Sequence, residues 1–271
     1  MQKNLFSVKD KVIILTGGSG ILGGCMVRHL AREEAAVVIL DRNDVAGKGL
    51  EESIHNEGGK ALFLQSDVLD KQTLEDNMNA ILKVFGRIDV LINLAGGNMS
   101  GATIPPEKTF FDLDIEAFRK VVDLNLFGTV IPTMVFAKVM VEQKKGSIIN
   151  ISSESALRPL TRVVGYGTAK AAINNFTQSM AGELAIKFGE GIRVNAIAPG
   201  FFLTDQNRAL MSNPDGTPSD RCNTIVAHTP FRRLGQPEEL LGVIQWLASD
   251  ASAFVTGTVI PIDGGFDAFS I

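Results

Sequence analysis

Tyrosine and tryptophan each occur once in the 271 residues, cysteine twice and histidine three times. Cys25 and Cys222 lie far apart and show no metal-ligand spacing, so two reduced thiols in a reducing compartment are expected. His29, His55 and His228 are scattered, without a carboxylate cluster beside them, and no metal centre is expected. The 26 basic residues face 30 acidic ones and form no lysine or arginine block, which gives no footprint for nucleic acid. No apolar run approaches the roughly 20 residues of a membrane span, and the first ten residues lack a signal peptide's apolar stretch. A soluble, cytoplasmic protein with neither nucleic-acid nor membrane partner is expected. No composition shift, repeat or low-complexity tract marks a linker, which favours one domain over 1–271.

What the chain has in quantity is alternation. Short apolar runs at 12–16, 36–41, 61–66, 88–94, 146–152, 192–198 and 257–262 read as buried strands. Helical periodicity fills 21–33, 44–57, 71–85, 114–142, 165–188 and 237–249. Several of these segments open on Asp, Ser or Thr and close on Gly, as helix caps require. Seven strands alternating with six helices predict an α/β fold, a doubly wound Rossmann domain whose parallel seven-stranded sheet is flanked by helices. Two stretches break the rhythm, 96–113 and 201–233. Both follow strand C-termini, where such folds bind ligands, and are expected to supply substrate loops or a lid.

The run Val12-Ile13-Ile14-Leu15-Thr16-Gly17-Gly18-Ser19-Gly20-Ile21-Leu22-Gly23 is a strand feeding a glycine-rich turn and a helix. Glycines there let the backbone approach a pyrophosphate, and the helix N-terminus offers free N–H donors and a partial positive charge. Gly17, Ser19, Gly20, Ile21 and Leu22 are therefore candidate dinucleotide contacts. Asp41 ends the next strand, where a carboxylate accepts hydrogen bonds from the ribose hydroxyls of NAD and repels the 2′-phosphate of NADP. Arg42 beside it leaves NADP open, because a guanidinium pairs with that phosphate.

Farther on, Asp67-Val68 follows the third strand, with adenine contact and a plain helix cap as alternatives for Asp67. Asn93, Ala95 and Gly96 lie in a run of small residues after the fourth strand, where the chain can pass close to a cofactor. Asn125 sits inside a mostly apolar helix and needs a partner for its amide. Pro199-Gly200 ends the sixth strand, and Phe202 and Thr204 follow it toward the cofactor; capping of the next helix is the alternative for Thr204.

The single tyrosine, Tyr166, stands four residues before Lys170 and thirteen after Ser153. On a helix, positions i and i+4 share a face, so the Lys170 ammonium can favour the phenolate of Tyr166. That makes the phenol a usable general acid/base. Ser153 ends a buried strand and can meet it at the sheet edge.

Together, Thr16 to Gly23, Asp41, Asp67, Asn93 to Gly96, Asn125, Ser153, Tyr166, Lys170 and Pro199-Gly200 resemble the short-chain dehydrogenase/reductase family over nearly the whole chain. The resemblance implies a catalytic set in which Tyr166 moves the proton, Lys170 lowers its pKa and holds the nicotinamide ribose, Ser153 orients the substrate oxygen and Asn125 anchors a relay water. It also implies a homotetramer. Two departures stand out: Ile21 follows the middle glycine of the turn, and Leu94 replaces the usual second asparagine of N-N-A-G.

Those departures, the Ala95-Gly96-Gly97-Asn98 turn and the stretch from Ala198 to Leu210 are similar to one subgroup, the D-mannonate oxidoreductases or fructuronate reductases. Glu154-Ser155 departs from that subgroup's Met-Asn after the serine. The subgroup implies a sugar-acid substrate; another polyol or gluconate dehydrogenase, an oxoacyl reductase and a non-catalytic nucleotide-binding protein are the alternatives. A hexonate carboxylate suits an arginine's paired donors, which makes Arg158, Arg162 and Arg208 candidates. Asn98 and Asn207 are candidates for sugar hydroxyls, and His228 is read as a packed loop residue.

Overall fold

Residues 4–269 are described by a computed structural model. Seven strands, β1 (Val12–Thr16), β2 (Ala36–Asp41), β3 (Lys60–Gln65), β4 (Val90–Asn93), β5 (Gly146–Ile151), β6 (Ile192–Pro199) and β7 (Val259–Ile262), form one sheet in the order β3-β2-β1-β4-β5-β6-β7. Every pairing is parallel. Helices cover both faces, so β1, β5 and β6 are buried along their whole length. In β1 that double burial is why Val12-Ile13-Ile14-Leu15 reads as an unbroken apolar run and not as an alternating one.

The two faces are visible in β1 itself. Ile13 and Leu15 enter one core with Met26 and Leu30 of α1 (Ile21–Arg32), Leu50 of α2 (Asp44–Asn56) and Leu247 of α9 (Leu241–Ala248). Val12 and Ile14 enter the other with Leu74 of α3 (Lys71–Phe85) and Phe136 of α5 (Gly128–Gln143). Each fully buried Ile or Leu contributes roughly 1.5–3 kcal/mol, and truncating Phe136 to Ala would cost about 3–5 kcal/mol. Local signals agree with the packing. Asp70 accepts hydrogen bonds from the N–H groups of Gln72 and Thr73 to start α3, and Gly86, at φ 73°, ends it in the left-handed region.

Most predicted elements fall within two residues of their observed bounds. The 114–142 segment is a more complex case. Asp114 caps α4 (Ile115–Val122), a π-helical turn follows at Asp123–Phe127, and α5 completes the run. The joined helix Ile115–Gln143 is long and apolar enough to cross a membrane by length and composition alone. This corrects the reading that no such stretch exists. Its apolar character has a structural cause, since Val121, Val135, Phe136, Val139 and Met140 are buried in the fold. Residues 201–233, which lacked periodicity, hold two short helices, α7 (Asp205–Met211) and α8 (Asp220–His228). Residues 96–113 carry only 3-10 turns at Ser100–Ala102 and Phe110–Asp112.

The chain runs from β1 outward to β2 and β3, then crosses back to place β4 on the other side of β1. That reversal opens a crevice at the carboxyl ends of β1 and β4.

Candidate active site

Thr16 closes β1 and ties the crevice together, its Oγ1 accepting from the N–H groups of Leu94 and Ala95 at 3.1 Å each. The chain then turns at Gly17, whose φ of 67° suits glycine, and a Cβ there would lie 2.9 Å from the Cα of Ala95. A Cβ on Gly23 would lie 2.5 Å from the Gly17 carbonyl. These glycines let turn, helix and β4 loop close on one another. Gly20 stands at the N-cap of α1 without a side-chain cap, which leaves first-turn N–H groups for an anion. The cradle meets what a dinucleotide pyrophosphate requires.

A cleft of about 450 Å³ runs from this turn, with Gly17, Gly20, Ile21, Leu22, Asp41, Arg42, Val68, Ala95 and Gly96 on its walls. It continues past Ser153, Tyr166, Lys170, Pro199, Gly200, Phe202 and Thr204. Asp41 is fixed in place, accepting from the backbone N–H of Ser19 at 3.1 Å and of Asn43 at 3.0 Å. Three of the candidate cofactor contacts stand off the cleft walls. Ser19 reaches the site through its backbone hold on Asp41. Asp67 turns its carboxylate to the Leu69 N–H at 2.9 Å, the capping alternative, while Ser66 and Val68 on either side face the cleft. Asn93 is buried, donating to Thr133 Oγ1 at 3.0 Å and Asn150 Oδ1 at 2.9 Å. It fastens β4 to β5 and α5.

Ser153 follows the end of β5 in extended backbone, and its Oγ accepts from the N–H and hydroxyl of Ser155 at 3.2 and 3.0 Å. Tyr166 and Lys170 sit one turn apart on α6 (Val164–Phe188), with the ammonium 5.6 Å from the ring centroid. Lys170 Nζ donates to the Ile151 carbonyl at 2.7 Å. Burial holds its pKa down at about 7. Burial also pushes the Tyr166 phenol above its ordinary value, opposed only by its hydrogen bond with Ser153. The expected lowering of Tyr166 by Lys170 does not operate in this state of the site, where desolvation dominates and only Ser153 opposes it.

Asn125 occupies the π turn. Its Nδ2 donates to the carbonyls of Gly97 and Val121, both at 2.7 Å, and its Oδ1 accepts from the Gly97 N–H at 3.0 Å. The backbone carbonyl accepts from Thr129 Oγ1 at 2.9 Å. Its amide is therefore a clamp on the β4 loop.

A second pocket of about 550 Å³ shares Ser153, Tyr166, Gly200 and Asn207 with the cleft. Asn98 lines it and donates to Thr103 Oγ1 at 2.9 Å. Asn207 lines both cavities, but its amide also closes the α7 turn, accepting from Thr204 N–H at 2.9 Å and donating to the Phe202 carbonyl at 2.7 Å. Thr204 is both a cleft residue and the N-cap of α7. Arg158 is committed elsewhere, its Nε donating to Asp267 at 2.9 Å. Arg208 and His228 are exposed and off the pocket wall.

Two charged residues on the second pocket's wall escaped the sequence reading as candidates. Arg221 comes from the first turn of α8, a helix too short to announce itself. Glu154, 1 % exposed, adjoins Ser153; burial and the nearby carboxylates of Asp263 and Asp267 raise its pKa to about 7. An acid in the otherwise neutral run Ser152-Ser153-Glu154-Ser155 was the signal for it.

A family profile described as enoyl-(acyl carrier protein) reductase, of the short-chain type, matches residues 18–267. The chain belongs to the short-chain dehydrogenase/reductase family. It is 45 % identical over 274 residues to an uncharacterized oxidoreductase, UxuB, of Bacillus subtilis, covering 97 % of each chain. A Haemophilus influenzae crystal structure with bound NAD, provisionally described as a D-mannonate oxidoreductase, shares 42 % identity at a TM-score of 0.92, covering 98 % of this chain and 99 % of that one. A gluconate 5-dehydrogenase from Burkholderia cenocepacia, in complex with NADP and tartrate, shares 28 % at 0.87 and covers 98 % of both. This short-chain dehydrogenase/reductase is therefore an oxidoreductase by family.

Proposed function

We propose that the protein moves a hydride between NAD and a sugar acid, with D-mannonate and D-fructuronate as the pair. The observation that carries this reading is the junction of the long cleft and the second pocket at Ser153 and Tyr166. A substrate in the second pocket and a cofactor in the cleft would meet at those two hydroxyls. Mannonate, gluconate and tartrate, named for the two solved relatives, are all hydroxy acids, which supports the substrate class.

A bound nicotinamide supplies the hydride acceptor or donor. Tyr166 takes the substrate's hydroxyl proton during oxidation and returns it during reduction. Ser153 hydrogen-bonds the same oxygen and stabilises the charge that develops there. Lys170, titrating at about 7, is poised to exchange protons at neutral pH and, when charged, favours the phenolate. Asn125 holds the loop whose Gly96 and Gly97 line the cleft and whose Asn98 and Met99 line the second pocket.

Asp41 supports NAD over NADP, because its anchored carboxylate lies where a 2′-phosphate would carry like charge. A homotetrameric assembly and a cytoplasmic location complete the proposal. The test is turnover of D-fructuronate followed in parallel with NADH and NADPH. NADH-dependent reduction is the expected result; NADH binding without turnover would remove the mannonate assignment.

A further inference from the structure

The second pocket is mostly apolar, and Arg221 is the one cation on its wall among the described residues. Its only described hydrogen bond is a long one, Nη2 donating to the Thr161 carbonyl at 3.4 Å. No described carboxylate pairs with it, in contrast to Arg158 with Asp267 and Arg233 with Glu239. Burial disfavours its charge, and so does the neighbouring Arg162.

Arg162 also lacks a described ion pair, and its backbone is left-handed at φ 76°. A non-glycine residue keeps that conformation only where its surroundings enforce it. Here its carbonyl accepts from the Ile104 N–H at 3.0 Å, which ties the loop after β5 to residues 96–113. Two guanidinium groups without a described ion pair thus neighbour one another, Arg221 on the wall of the pocket that contains Ser153 and Tyr166 and Arg162 off that wall. Partly buried like charges without a counter-ion are costly unless an anion joins them.

We propose that Arg221 binds the substrate's carboxylate, with Arg162 strengthening the local field, and so orients the acid with its reacting carbon at Ser153 and Tyr166. This rests on the sugar-acid reading above and corrects the sequence candidates. Arg158 is neutralised by Asp267, Arg208 stands outside the wall, and Arg162 acts beside the pocket. Glu154, the only acid on the wall among the described residues, lies next to Ser153 and disfavours the reverse orientation.

The test compares wild type, Arg221→Gln and Arg221→Lys on D-fructuronate and on its uncharged amide. Loss of a hydrogen-bonded charge pair in Arg221→Gln should raise KM for the acid about 10- to 100-fold. The change in kcat should stay within about threefold, the pattern of lost ground-state binding. KM for the amide should hardly move, Arg221→Lys should recover part of the loss, and NADH affinity should match wild type. An unchanged ratio of acid to amide KM overturns the proposal.

Calorimetry of tartrate binding to the NADH complex provides a second arm. Tartrate should bind wild type and lose most of its affinity in Arg221→Gln. Equal binding in both, or none to wild type, also overturns the proposal. Absence of fructuronate turnover in wild type would instead defeat the mannonate reading, while the tartrate arm still decides Arg221.

Discussion

Asn125 grips residue Gly97 on both sides of its Cα, donating to its carbonyl at 2.7 Å and accepting from its N–H at 3.0 Å. Asn125 is fully buried, and a π-helical turn points its amide at the loop; such turns recur at functional sites. Asn125→Ala would remove three buried hydrogen bonds to backbone groups, two of them at Gly97. A loss of about 2–4 kcal/mol in stability is expected, together with weaker NADH binding. Thermal unfolding and NADH fluorescence titration measure the two effects, and an unchanged melting temperature would refute the clamp.

The neighbouring Gly96 fills the gap between Asn125 and Lys170. A Cβ there would lie 2.6 Å from Asn125 Oδ1 and 3.3 Å from Lys170 Nζ. Asn125 cannot swing aside cheaply because its amide makes three hydrogen bonds. Gly96→Ala should therefore displace Asn125, Lys170 or both, and cut kcat/KM by about tenfold or more, equivalent to at least roughly 1.4 kcal/mol. Wild-type kinetics in Gly96→Ala would contradict the wedge.

Lys170 illustrates a conflict between stability and activity. Its folded pKa of about 7 lies below the ordinary lysine value of 10.5. The unfolded chain then binds more protons between those values, so this group's contribution to stability rises as pH climbs from 7 to 10.5. Below pH 7 the fold carries the full cost of a buried charge. Lys170→Met should abolish turnover yet raise the melting temperature at pH 6, and the difference should shrink toward pH 10. A lower melting temperature for the variant at pH 6 would contradict the cost assigned to this lysine.

Glu154 has the opposite sign. Its folded pKa of about 7 exceeds the ordinary 4.5, so the protonated acid stabilises the fold below pH 4.5, and that contribution is lost as pH rises through 7. Glu154→Gln should remove this dependence and gain about 1–3 kcal/mol over wild type at pH 8. Parallel denaturation curves at pH 5 and pH 8 provide the check. Equal pH slopes in variant and wild type would show that this acid is not the titrating group.

The fold was legible largely because burial writes itself into sequence. β1 is covered on both faces and so appears as an apolar run, while α1 and α3 bury one face each and so show their period. α7 and α8 were not legible, having only seven and nine residues. Within the site, the spacing of Ser153, Tyr166 and Lys170 was readable because strand end and helix turn are local geometry. Arg221 was not, because what marks it is the lack of a described carboxylate partner, a tertiary fact. Asn93 shows the reverse: its place in a glycine-rich strand end suggested cofactor contact, and its amide proved to fasten three elements together.

The central claim is that Tyr166 transfers the proton while Ser153 holds the reacting oxygen. Its most direct test is the rate of NADH oxidation with D-fructuronate for wild type and Tyr166→Phe, with NADH affinity measured alongside. The phenylalanine variant should bind NADH as wild type does and lose about 10²- to 10⁴-fold in kcat, the usual contribution of general acid/base catalysis. Turnover within a few-fold of wild type would contradict the account.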